Sequence, residues 1–162
     1  MEPLDIDLIL QWENNTANWK VSGTTAPFSR DTIKQYVENA PLDVYKAGQL
    51  RLMIEELQTG RAVGTMDLFD FDAFNQRTGL GILIAEEADR NRGWGKDALL
   101  LIKDYCFNHF GLKQLHCTIH TDNLSSLKLF QSVGFEINGT QKSWQRYGRE
   151  FKDVYFLQLL KD

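Results

Sequence analysis

Residues Ala88–Asn108 read "ADRNRGWGKDALLLIKDYCFN". Arg90, Arg92 and Lys96 surround two glycines, Gly93 and Gly95. Behind them Ala98, Leu99, Ile102, Tyr105 and Cys106 recur on one face of a helical pattern. Glycine is expensive to order, so two at the mouth of a helix call for a reason. Anion binding supplies one. The first backbone N–H groups of a helix have no internal partner, and the helix dipole adds about half a positive charge there. A glycine lets a phosphate reach that backbone without meeting a Cβ. The bland alternative is a solvated basic loop that happens to start a helix with glycine.

Two phosphate-binding patterns compete for the stretch. "GWGKDA" fits the loose dinucleotide form G-x-G-x-x-A. That form should follow its strand directly, with an acidic residue roughly 20 positions on. Here "EEADRNRG" separates Ala85 from Trp94, and the later positions read "LHCTIH", without a carboxylate. A nucleotide-binding oxidoreductase is therefore the weaker reading. The other form, R/Q-x-x-G-x-G/A, is met in full by "RNRGWG", Arg90 to Gly95.

The surrounding elements must position this loop. "LGILIA", Leu80 to Ala85, predicts a short buried strand before it. Gly111 stands where a helix C-terminus is expected after it. "QLHCTIHT" alternates Leu115, Cys117 and Ile119 against His116, Thr118 and His120, the period of a half-buried strand. Two histidines on one strand with no third ligand give a weak metal signal, and local packing is the preferred reading. "DNLSSLKLFQSVGF" predicts a short helix ended by Gly134, and "SWQRYGREFKDVYFLQLL" a closing hairpin that turns near Tyr147–Gly148. Ahead of the loop, "PLDIDLILQWENN" predicts one helix, and "SRDTIKQYVENA" a second with Ser29 as N-cap and Pro41 past its end. "QLRLMIEEL" and "AVGTMDLFDFD" form a hairpin around "TGR", and "AFNQRTG" is a loop. The order is ααββ, βα, βα, ββ: a mixed α/β sheet protein.

"RNRGWG", the strand before it and "NLSSLKLFQSVGF" together resemble the GCN5-related N-acetyltransferase (GNAT) family. The second stretch looks like that family's N-x-x-S/A-x-x-x-Y/F-x-x-x-G-F signature. With "LQWENN" and "YGREFKDVYFLQL" the chain looks most like the branch of ribosomal-protein-alanine and spermidine acetyltransferases. The resemblance implies a mostly antiparallel sheet splayed between its central strands, with acetyl-CoA as cosubstrate and no metal. It implies that amides from Arg92 to Asp97, Trp94 included, cradle the pyrophosphate, with charge from Arg90, Arg92 and Lys96. Pantetheine would pair with the strand edge Leu83 to Ala85, where the backbone N–H groups of Ile84 and Ala85 polarise the thioester carbonyl. Asn123 would bond pantetheine while capping its own helix, with Ser126 and Phe130 nearby.

Three departures from the family accompany the match. The chain opens "MEPLD", so the family's first strand is expected to be truncated or missing, leaving an exposed edge. Phe130 stands where the family places the tyrosine that protonates the departing thiolate. "TTAPF" replaces the glutamates of the spermidine enzymes. The implied reaction is direct attack of a primary amine, from a protein N-terminus or a small molecule such as a polyamine. A catalytically silent CoA-binding module is the alternative that Phe130 favours. A base for the amine is sought among the carboxylates of "DLFDFD", with Asp70 and Asp72 on one strand face and Asp67 opposite them, and Glu86 and Glu87.

Composition narrows the rest. The 162 residues fit one domain, residues 1–162, and 43% hydrophobic with 25% charged residues is ordinary for a globular chain. A net charge of −4 without a Lys/Arg block argues against nucleic acid as a partner. No apolar run approaches ~18 residues, which argues against a membrane partner. A cytoplasmic location is expected, with Cys106 and Cys117 as buried free thiols, and a homodimer is the one assembly the reading allows.

Overall fold

The structure is a computed structural model and describes residues 1–39 and 43–161, except the side chains of Val21 and Tyr147. Pro41 lies outside the described residues. Among the described residues four α-helices precede the first strand: α1 (Ile6–Glu13), α2 (Thr16–Ser22), α3 (Arg30–Asn39) and α4 (Val44–Ala47). The sequence pattern predicted two. The extra pair are short elements fixed by their ends. Asn15 accepts the Ala17 N–H at 3.0 Å to cap α2, which stops at Gly23 (φ 72°). Asp43 and Gly48 (φ 67°) do the same for α4. The Ser29 hydroxyl receives the Thr32 N–H at 3.1 Å, so the expected cap of α3 is present.

The strands are β1 (Leu50–Glu55), β2 (Ala62–Asp72), β3 (Arg77–Ile84), β4 (Gln114–His120), β5 (Glu136–Tyr147) and β6 (Glu150–Leu160). They form one sheet in the order β1-β2-β3-β4-β6-β5. Only β3 and β4 run parallel. α5 (Trp94–Asp104) joins those two strands and continues as a π-helical turn over Tyr105–His109. α6 (Leu124–Gln131) joins β4 to β5. β3 begins three residues before the expected Leu80, because the turn closes at Gln76 (φ 53°). No strand precedes α1 among the described residues, and β1 ends the sheet.

The main core packs α5 and α6 on the sheet through Leu99, Ile102, Cys106, Leu115, Phe130 and Leu157. Tyr105, expected on that buried face, is 39% exposed and stacks on His109. A smaller cluster, Ile9, Ile33 and Val37, joins α1 to α3 with Met53 of β1 against it. Helices therefore pack on both faces of the sheet, with α1 and α3 against Met53 of β1.

Candidate active site

β3 and β4 pair only from Arg77–Gly79 to Gln114–His116, then part. On its other side β3 stays bonded to β2 up to Ala85, whose N–H donates to the Val63 carbonyl at 3.0 Å. Antiparallel backbones alternate their polar groups between neighbours. Leu83 and Ala85 therefore turn theirs to β2, while Ile82 and Ile84 turn theirs to the gap. Ala85 is thereby removed as a carbonyl-polarising donor. Ile84 remains, and Ile82, which the motif did not single out, joins it.

Arg90 closes the far end of this edge. Its Nε donates to the Ile84 carbonyl at 3.2 Å, and its Nη2 to the Ala85 carbonyl at 3.4 Å and Asn18 Oδ1 at 3.0 Å. The expected phosphate charge is thus a staple between loop, strand and α2. Gly93 starts α5 in a left-handed conformation (φ 92°) with open space around a would-be Cβ. The N–H groups of Lys96 and Asp97 already donate to the Gly93 carbonyl at 2.9 and 3.0 Å. The amide cradle is therefore shorter than expected, ending at Gly95. A Cβ on Gly95 would lie 3.3 Å from Leu129 Cδ2 of α6 and 3.7 Å from Ile82 Cδ1 of β3, so the site has room for a methyl but not for a branched side chain. The guanidiniums of Arg61 and Arg92 each lie 5.5 Å from the centre of the Trp94 ring. Arg61 also holds the buried Asp89 at 2.7 and 3.0 Å, and this bond keeps the Asp89 carboxyl below its usual range against the opposing effect of burial.

A cavity of about 520 Å³ lies over this loop. Every residue expected to hold the cosubstrate lines it except Ala85, Asp97 and Phe130. Asn123 lines it while its Oδ1 accepts the Ser126 N–H at 3.2 Å, so it is also a helix cap. A second cavity, about 440 Å³, opens on the far side of the gap. The two share Ile82, Leu83, Asn123 and Ser126.

Charged groups from distant parts of the chain meet in the second cavity. Arg51 of β1 donates through Nε to Asp67 Oδ1 at 2.5 Å, through Nη2 to Asp67 Oδ2 at 3.0 Å, and through Nη1 to Glu13. Its guanidinium lies 5.4 Å from the Tyr36 ring centre. Burial raises the Tyr36 phenol above its usual value, with Arg51 opposing and Asp67 and Glu13 reinforcing. His120 and Phe130 complete this wall. Phe130 is 3% exposed and packs edge-on against Phe135 at 5.0 Å.

Of the carboxylates sought as a base, Asp67 lines this cavity but is tied to Arg51, and the others lie elsewhere. A bulge between Phe69 and Asp72 turns Asp70 to φ 50° and breaks the face it was expected to share with Asp72. Asp72 accepts from Asn75 at 2.9 and 2.7 Å and pairs with Arg77, contacts that hold its carboxyl low. Neither residue lines either cavity, and nor do Glu86 and Glu87. No three His, Cys, Asp or Glu side chains among the described residues cluster to hold a metal ion. No described helix is long and apolar enough to cross a membrane.

Residues 1–136 match the family model described as the acetyltransferase (GNAT) domain. The chain belongs to the GNAT family. Its chemistry is the acetyl-CoA-dependent acetylation of amines. This GNAT chain is 27% identical to the uncharacterized N-acetyltransferase p20 of Bacillus licheniformis, over 99% of its own length and 90% of the relative's. It is 28% identical to the L-amino acid N-acetyltransferase AaaT of Escherichia coli over 44% of each chain. In fold it is similar to the spermidine N-acetyltransferase of Vibrio cholerae, solved in complex with CoA and spermine. There the TM-score is 0.89, covering 99% of this chain and 92% of that one at 17% identity, a likeness of fold alone.

Proposed function

We propose that this GNAT chain transfers the acetyl group of acetyl-CoA directly to a primary amine of a small molecule held in the 440 Å³ cavity. The carrying observation is that the two cavities meet at Ile82, Leu83, Asn123 and Ser126, where β3 parts from β4. The residues fit the cosubstrate. The amides from Arg92 to Gly95, with Arg92 and Lys96, suit a pyrophosphate. The N–H and carbonyl of Ile82 suit the amide-bearing pantetheine arm, and the N–H of Ile84, whose carbonyl Arg90 holds, is left for the thioester carbonyl. Acetyl-CoA supplies the activated acyl group. Across the gap, Glu13 and Asp67 exceed the single charge of Arg51 by one, which favours a cationic amine.

A lysine-like amine is neutral only about 0.04% of the time at pH 7, so its deprotonation costs about 4.6 kcal/mol and needs help within the cavity. The test is thiol release from acetyl-CoA with spermidine, n-butylamine, free L-amino acids and an alanyl peptide. Turnover with a small amine is expected. Turnover with the peptide alone would refute the small-molecule reading, and binding without turnover on any amine would refute the enzymatic one.

A further inference from the structure

His120 ends β4 and lines the second cavity beside the shared residues Asn123 and Ser126. It is 8% exposed, and both ring nitrogens are buried with no hydrogen-bond partner among the described residues. A neutral imidazole carries one donor and one acceptor, and leaving both unmet away from water is unfavourable. The half-buried strand pattern predicted no such thing: it placed His120 on the polar face, and the structure buries it.

The other titratable groups of this wall are committed. Glu13 and Asp67 are tied to Arg51. The Tyr36 phenol is raised and keeps its proton. Burial pushes the Cys117 thiol up to about 12. Phe130 has no proton to exchange. Just outside, Asp122 pairs with Lys20 at 3.1 Å and is near enough to respond to His120 and to Lys152 of β6. Asp153 is bound by Lys142.

Resting on the small-amine reading above, we propose that the His120 imidazole is the proton acceptor for the attacking ammonium. The acceptor's R–NH₃⁺ gives one proton to the neutral ring, and the freed nitrogen lone pair attacks the thioester carbonyl. The C–S bond breaks as the C–N bond is completed. The departing thiolate takes the proton from the imidazolium, and the second amine proton leaves to solvent. The products are the acetamide, CoA–SH and one H⁺, with His120 neutral again. This gives the thiolate its proton without a tyrosine at position 130.

The experiment is thiol release from acetyl-CoA with spermidine and n-butylamine as probes, followed across pH. In the wild type, kcat/KM should rise through one imidazole ionisation to a plateau that lasts until the amine itself loses its proton. His120→Asn should lower kcat/KM about 100-fold or more near neutrality. Its log kcat/KM should climb with slope one across the former plateau, because only pre-formed free amine can react. His120→Ala should regain activity with added imidazole. The acetyl-CoA-induced shift in Tm should persist in both, and His116→Gln should keep the wild-type profile. An active wild type with an unchanged His120→Asn profile overturns the role of His120 alone. A wild type that acetylates neither probe overturns the small-amine reading for these probes and the role of His120 with it. Should both His120 variants unfold, ¹⁵N spectra of the wild-type rings decide. A His120 ring that does not titrate with the acid limb of kcat/KM overturns the proposal.

Discussion

Gly93 and Gly95 share a motif but are bare for different reasons, and alanine at each separates those reasons. At Gly93 the space is empty and the backbone is left-handed (φ 92°). An L-residue there costs about 1–2 kcal/mol. For a chain of this size each kcal/mol is worth about 2–4 °C in Tm, so Gly93→Ala should lose about 2–8 °C. At Gly95 the backbone is not left-handed, and the new methyl is tight only against the flexible end of Leu129, at 3.3 Å. Helix propensity returns up to about 1 kcal/mol, so Gly95→Ala should hold its Tm or gain up to about 4 °C. Gly95→Val adds two methyls toward Leu129, Ile82 and Ile84, an overpacking cost of about 1–3 kcal/mol. Acetyl-CoA affinity by calorimetry should fall in Gly93→Ala, whose strain misdirects the open amides of Trp94 and Gly95. It should be nearly kept in Gly95→Ala. Scanning calorimetry gives the Tm values. A Gly95→Ala that loses more Tm than Gly93→Ala, or a Gly93→Ala that binds acetyl-CoA normally, would refute the assignment.

Arg90 and Arg92 should also part company. Arg90→Ala removes charged bonds to two strand carbonyls and Asn18, lowering Tm by an amount equivalent to about 1.5–3 kcal/mol. Arg92→Ala should leave Tm in place and raise KM for acetyl-CoA, more visibly at low salt. At Phe130, tyrosine should keep or modestly raise kcat, since a thiol of pKa near 8.5 leaves as thiolate at a sacrifice of only about 2 kcal/mol. Phe130→Ala should cost about 3–5 kcal/mol of stability, read by urea unfolding, and weaken CoA binding with it.

What was legible in the sequence was local. The strand, loop and helix from Leu80 to Cys106 announce themselves because their signals lie within one turn or one pleat of each other. The cavity over the glycine loop follows from that stretch and Asn123. The second cavity does not, since Glu13, Tyr36, Arg51 and His120 come from α1, α3, β1 and β4. One part of it was within reach. Once the first hairpin is accepted, its register sets Arg51 opposite Asp67, an opposed charge pair across two strands. Asp70 misled because strand alternation assumes a regular pleat, and a bulge removes that premise. Lys96 and Asp97 misled because counting orphan amides from a helix start presumes its first bonds, and Gly93 accepts two of them. His120 was unreadable because strand alternation placed it on the polar face, whereas in the fold it is 8% exposed.

The parting of β3 from β4 gives this sheet an edge in its interior. Edges at the rim of a sheet recruit other chains, and proteins blunt them with charge, proline or a covering element. Here the edge carries Ile82 and Ile84, residues of the kind that would make a rim strand prone to aggregation. It needs no blunting, because α5, α6 and β4 wall it on the remaining sides. A foreign strand arrives with side chains on both faces and another sheet behind it. A thin amide-bearing thread does not. The fold thus keeps the adhesive chemistry of an unpaired strand away from the rim, where other chains would reach it.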